Sequence, residues 1–112
     1  MAGSNLFTGT LDLLILKAVS WGPRHGYAVA RWIESSSRDE LVVEDRALYV
    51  ALHRLEQRGH VRGRWGQTET GRRAKFYELT PAGRAELRAR QERWGRYVRA
   101  IAHVMSTEPA EA

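Results

Sequence analysis

The sequence has no cysteine, three prolines, and only Lys17 and Lys75 as lysines among its 18 basic residues. Without cysteine there can be neither a disulfide nor a thiolate metal site, a composition at ease in a reducing cytoplasm. Long hydrophobic runs are missing too. The longest, Leu11 to Val19, is broken by Lys17 and opens beside Asp12, and it is about half of the roughly 20 residues that cross a bilayer. It reads as a core helix. No basic stretch with a cleavage site precedes it, so the expectation is a cytoplasmic protein with no membrane partner. His25, His53, His60 and His103 fall into no metal-ligand spacing, and there is no P-loop or dinucleotide-binding glycine pattern. No metal, cofactor or enzymatic activity is expected.

What is present is a 112-residue chain, 43% hydrophobic and 28% charged, the balance of one globular domain too short to carry a second, catalytic one. The net charge is +5, unevenly spread. Counting Lys, Arg, Asp and Glu, residues 1–43 balance four against four, residues 44–79 carry eight basic against five acidic, and residues 80–112 six against four. The middle stretch is the candidate footprint for a polyanion, and arginine's planar fork suits phosphate and guanine. A GC-rich genome would favour arginine everywhere and explains the bias equally well.

Leu11, Leu14, Ile15, Ala18 and Val19 repeat at helical spacing, with Thr8 or Thr10 as cap and Trp21-Gly22-Pro23 as stop. A second helix is expected from His25 to Glu34, with Gly26, Val29, Ala30 and Ile33 on one face. Leu41-Val42-Val43 resembles a minimal strand. A third helix follows Glu44 and Asp45, turns Leu48, Ala51, Leu52 and Leu55 inward, and stops at Gly59. Strands are expected at His60 to Trp65 and Ala74 to Leu79, joined by a loop over residues 66–73. Thr80-Pro81 restarts a helix that should run to about Met105, about 37 Å at 1.5 Å per residue. Three helices, a hairpin and a long helix make a mainly α chain with a small β-hairpin, the winged helix-turn-helix order. Residues 1–79 would form the DNA-binding domain, 80–105 a dimerisation helix, and 106–112 a tail without fixed structure.

On the third helix, Arg46, Tyr49, Val50 and His53 share the outward face, with Arg54 and Gln57 at its margin. One helix fits a major groove, where arginine pairs with guanine and Tyr or His bonds bases or phosphates. A solvated amphipathic face would look the same. The hairpin that follows concentrates Arg62, Arg64, Arg72, Arg73 and Lys75, and such wings reach along a DNA backbone or into a minor groove.

Several separated segments agree with one family in order and spacing. They are Gly9-Thr10-Leu11-Asp12-Leu13-Leu14-Ile15-Leu16, His25-Gly26-Tyr27, Ala47-Leu48-Tyr49-Val50-Ala51-Leu52-His53-Arg54-Leu55-Glu56, Gly59, and Phe76-Tyr77-Glu78-Leu79-Thr80-Pro81-Ala82-Gly83. Over about residues 8 to 100 the chain resembles the PadR family. The resemblance implies a winged helix-turn-helix repressor, a dimer through the last helix, and double-stranded DNA with a palindromic operator as partner. It also implies DNA contacts at Tyr27, Tyr49, Arg72, Arg73 and Lys75. Arg46-Ala47 stands where the family commonly has Gly-Thr.

Along the last helix, Leu87, Trp94 and Ile101 form one seven-residue series and Gln91, Val98 and Met105 another. That heptad-like seam, with a polar break at Gln91, asks for a second copy. Folding back on its own domain is the alternative. Trp94 and Tyr97 could line a pocket for a planar hydrophobic or phenolic effector, as in short-tailed PadR-like regulators, or simply pack. The rival functions are a protein-interaction module and a non-specific nucleic-acid binder on the same fold.

Overall fold

A computed structural model of the chain describes residues 3–110, with residues 3–8 described by backbone alone. Helix α1 spans Gly3–Ala18. The expected cap at Thr8 or Thr10 is therefore corrected: both residues lie inside the helix, and the side chain of Thr8 is outside those described. Leu11, Leu13, Ile15, Leu16, Ala18 and Val19 are all buried, more than one stripe, because α1 packs against three other helices at once. A helix apolar nearly all round is one that sits in the middle of a core.

Strand β1, Arg24–His25, leads into α2, Gly26–Ser36, and His25 caps that helix by accepting the Ala28 N–H on Nδ1 at 3.3 Å. Residues 41–43 join no sheet, correcting the minimal strand expected there; Glu34 Oε2 instead accepts the Val43 N–H at 3.1 Å and ties the connection to α2. Helix α3, Asp45–Gln57, buries Leu48, Ala51, Leu52 and Leu55 as its pattern requires. It ends in a Schellman turn: Gly59 takes φ +79°, its N–H reaches the Glu56 carbonyl, and the His60 N–H reaches that of Leu55 at 2.9 Å.

The wing strands are longer than expected. Strand β2, Val61–Gln67, pairs antiparallel with β3, Arg73–Leu79, leaving only residues 68–72 as the turn. The small sheet has three strands in the order β1-β3-β2, with Arg24 opposite Tyr77. Two residues carry too little pattern to announce β1; its partner β3 defines it.

Helix α4, Pro81–Ser106, starts on Thr80, whose Oγ1 accepts the Gly83 N–H at 2.9 Å and donates to the Gly59 carbonyl at 2.6 Å. A methyl group on Gly83 would overlap the His60 carbonyl oxygen, so glycine is what lets the first turn of α4 press onto the end of α3. Residues 107–110 are non-helical and exposed, and the remainder of the expected tail, residues 111 and 112, lies outside the described residues. At 65 × 28 × 23 Å the molecule is elongated, since α4 outruns the body it starts from. The arrangement is a winged helix-turn-helix with a long C-terminal helix.

Candidate nucleic-acid interface

Because leucines hold the inner face of α3, Arg46, Tyr49, Val50 and His53 are left exposed on its outer face. Arg54 does not join them. It turns inward and its Nη2 donates to Asp12 Oδ1 at 2.6 Å. Asp12 is 3% exposed, the one charged residue buried among the described residues. Tyr49 leans against the start of α2, where a Cβ on Gly26 would come within 2.8 Å of its ring. Glycine at position 26 thus lets α2 and α3 approach closely enough to bring exposed Tyr27 and Tyr49 to one surface.

Both tyrosines border an open groove of about 1030 Å³ whose far wall is the wing, including Trp65, Arg72 and Arg73. Strand alternation sorts the wing cations. Arg62 and Arg64 face one side, where both pair with Glu78, Arg64 Nη2 at 3.2 Å and Arg62 Nη2 at 3.8 Å. Lys75, on the other side of the hairpin, pairs with Glu56 of α3, its Nζ donating to Oε1 at 2.9 Å. That hydrogen bond raises the Lys75 pKa above its ordinary 10.5, keeping the ammonium charged but neutralised by its partner. Burial likewise raises the Tyr77 phenol above its ordinary 10.0. Among the described residues Arg72 and Arg73 have no carboxylate within 4.0 Å, and the Arg73 guanidinium lies 4.5 Å from the centre of the Trp65 ring. Five cations expected at the wing reduce to two that face solvent without a counter-charge.

Along α4 the seam divides. Leu87 is 7% exposed and belongs to the chain's own core, which corrects its assignment to an intermolecular seam: at this height α4 still lies on the body. Gln91, Trp94, Val98, Ile101 and Met105 are exposed. Trp94 and Tyr97, ring centres 5.9 Å apart, help to wall a recess of about 360 Å³ between α1 and α4, together with Leu13, Arg90 and Arg93. Arg90 spans two elements. Its Nε donates to Glu86 at 2.6 Å, and its Nη1 lies 3.8 Å from Asp12 Oδ2. The hydrogen bond from Arg90 lowers the Glu86 pKa below its ordinary 4.5.

Reading the sequence missed Trp65 as a groove residue and Asp12 as the buried partner of Arg54. The first was detectable, since Trp65 is an unaccompanied aromatic among the wing arginines. The second was not, because 42 residues separate Asp12 from Arg54.

Comparison with known proteins agrees with this fold. The family model described as "Transcriptional regulator PadR-like family" matches residues 15–89. A transcriptional regulator from Clostridium thermocellum, Cth-833, has a structure similar to this chain with a TM-score of 0.79 and 28% identity, covering 88% of this chain and 93% of that one. The PadR-like transcriptional regulator BC4206 from Bacillus cereus superposes with a TM-score of 0.80 over 94% of this chain and 100% of its own, at 21% identity, a likeness of fold. A protein of Lysinibacillus sphaericus is 27% identical over 94 residues, 84% of this chain and 86% of that protein.

Proposed function

Because the chain belongs to the PadR-like family of transcriptional regulators and not to a family of enzymes, we propose that it is a cytoplasmic repressor that binds a palindromic operator as a homodimer. Arg46, Tyr49, Val50 and His53 of α3 read the major groove, Tyr27 and Arg72 with Arg73 grip the flanking strand, and Trp94, Val98, Ile101 and Met105 join two copies along α4. Lys75 is left out because Glu56 already neutralises it. The observation that carries this proposal is the common groove: the exposed Tyr49 of α3 and the two unneutralised wing arginines border one concavity. A two-fold pair of such surfaces suits half-sites one helical turn apart, about 34 Å.

Selection of bound fragments from random DNA, followed by anisotropy titrations, tests it. The winners should contain an inverted repeat and bind on the order of a thousandfold better than random duplex. Replacing Arg72 and Arg73 by alanine should weaken every duplex and reduce the slope of log affinity against log salt by about 1.8, about 0.9 for each phosphate that is no longer neutralised. Arg46→Ala should instead reorder the preferred sequences. A salt slope without sequence preference would identify a non-specific binder, and indifference to duplex DNA in dilute buffer would favour a protein-interaction module. In the same proposal a planar hydrophobic or phenolic effector enters the recess beside Trp94 and Tyr97 and releases DNA. Such a compound should lower the anisotropy of the wild-type complex and leave that of Trp94→Ala unchanged.

A further inference from the structure

Trp65 is 62% exposed, yet one of the wing arginines, Arg73, lies over its ring. Its place in the wing follows from register. Trp65 stands opposite Lys75, and Gln67 opposite Arg73, so these four share the side that turns Val61 and Tyr77 toward the body. Arg62, Arg64 and Glu78 occupy the other side. Trp65 therefore borders the same groove as the exposed Tyr27 and Tyr49.

Three of the wing cations lie against carboxylates, Lys75 against Glu56 while Arg62 and Arg64 share the single charge of Glu78, which offsets part of the charge that a polyanion would seek. Arg73 is held differently. Its guanidinium lies over the Trp65 ring, 4.5 Å from the centre, and a ring attracts a cation through its quadrupole while carrying no net charge of its own. The stack fixes the side chain and leaves the full positive charge available. An arginine free in solvent gives up side-chain freedom when it grips an anion, and one already stacked has given up much of it beforehand.

We propose that Trp65 is a positioning residue of the DNA interface, holding Arg73 toward a phosphate of a duplex strand that runs between the wing and α3. The inference rests on the regulator reading above. Charge complementarity selects the occupant, because Arg24, Arg72 and Arg73 border the groove with no carboxylate within 4.0 Å among the described residues, against the single acidic residue Glu69, and stand beside rings whose hydroxyls can donate to phosphate oxygens.

A double-variant cycle on the full-length chain, titrated against one duplex, tests the assignment. Trp65→Leu should weaken binding about threefold to fivefold, and Trp65→Phe, which keeps a ring under Arg73, should restore most of that loss. Arg73→Ala should weaken binding about tenfold. Trp65→Leu added to Arg73→Ala should cost no more than a further factor of about two, since the tryptophan acts through the arginine. Thermal unfolding of Trp65→Leu should stay within a few degrees of wild type, because an exposed ring contributes little to the core. Independent, multiplying losses would show that Trp65 contacts the nucleic acid by itself and overturn the positioning role, as would a Trp65→Leu protein that binds like wild type. A wild-type chain indifferent to duplexes removes the regulator reading and this inference together, whereas a duplex-binding chain with an indifferent Trp65→Leu removes only this one.

Discussion

The groove side of the molecule and the distal half of α4 both expose large rings, but in opposite company. Around the groove, Tyr27, Tyr49 and Trp65 stand beside Arg72 and Arg73. On α4, Trp94, Tyr97, Val98, Ile101, Val104 and Met105 are exposed along one helix, and the nearby Glu92 and Arg96 pair with each other at 3.2 Å. A ring beside an unneutralised cation suits a polyanion; a stripe of rings and aliphatic groups suits another apolar surface. The same excess of exposed aromatic area thus stands in different company: three rings grouped with wing arginines at the groove, and a continuous stripe of rings and aliphatic groups on α4, where Arg93 and Arg99 also lack a carboxylate within 4.0 Å among the described residues.

The two regions meet at Asp12, whose carboxylate receives Arg54 from α3 and lies within ion-pair distance of Arg90 from α4. Removing it breaks the comparison at its root. Asp12→Ala strands the partly buried Arg54 guanidinium, while Arg90 keeps Glu86, and should lower the unfolding free energy by about 3 kcal/mol, the lower end for a broken buried pair because Arg54 keeps some exposure to water. Urea denaturation measures this, and a variant as stable as wild type would show the pair to be dispensable. The α4 side alone is addressed by Ile101→Asp. A charge in each copy of an apolar seam should cost association about 2 kcal/mol, enough to turn a micromolar dimer into monomer in light scattering. The body, which holds its core without that half of α4, should unfold as before. An Ile101→Asp protein that stays dimeric would place the contact elsewhere.

The smallest effect concerns the tie between α4 and the body. The Glu86 pKa is lowered in the folded chain, chiefly by the Arg90 hydrogen bond, with His60 and Arg93 as weaker positive neighbours. A carboxylate with a depressed folded pKa contributes stability that is present above its unfolded value, near 4.5, and lost as pH falls through the folded value. Wild type should therefore exceed Glu86→Gln by about 0.5 kcal/mol at pH 7, and the difference should vanish in acid below the folded value. A difference that persists there would reveal an interaction other than the ion pair.

Much of the fold was legible because its signals are local. Gly59 ends α3, Thr80-Pro81 begins α4, and the leucine spacing of α3 divides inside from outside, each through sterics or hydrogen bonds reaching only a few residues. The outer face of α3 followed directly from its inner one. The wing was read less well. Its basic residues were visible, but expecting a loop over residues 66–73 left the register open, and register decides which side each arginine faces. Arg62, Arg64 and Lys75 consequently looked unpaired, when Lys75 pairs with Glu56 and the two arginines share Glu78. Leu87 misled for the converse reason: a heptad spacing shows which residues share a face, not where along its length the helix leaves its own domain.

The four helices and the hairpin in their order, the start of α4 at Thr80-Pro81, the outward stripe of α3 and the surplus of arginine were set by the chain's residue order alone, because propensity, capping and periodicity act over one or two helical turns. Tertiary structure alone decided which charges remain unpaired. Ion pairs such as Asp12 with Arg54 or Lys75 with Glu56 join residues 42 and 19 positions apart, and the separation of two charges in space is fixed only once helices and strands have packed.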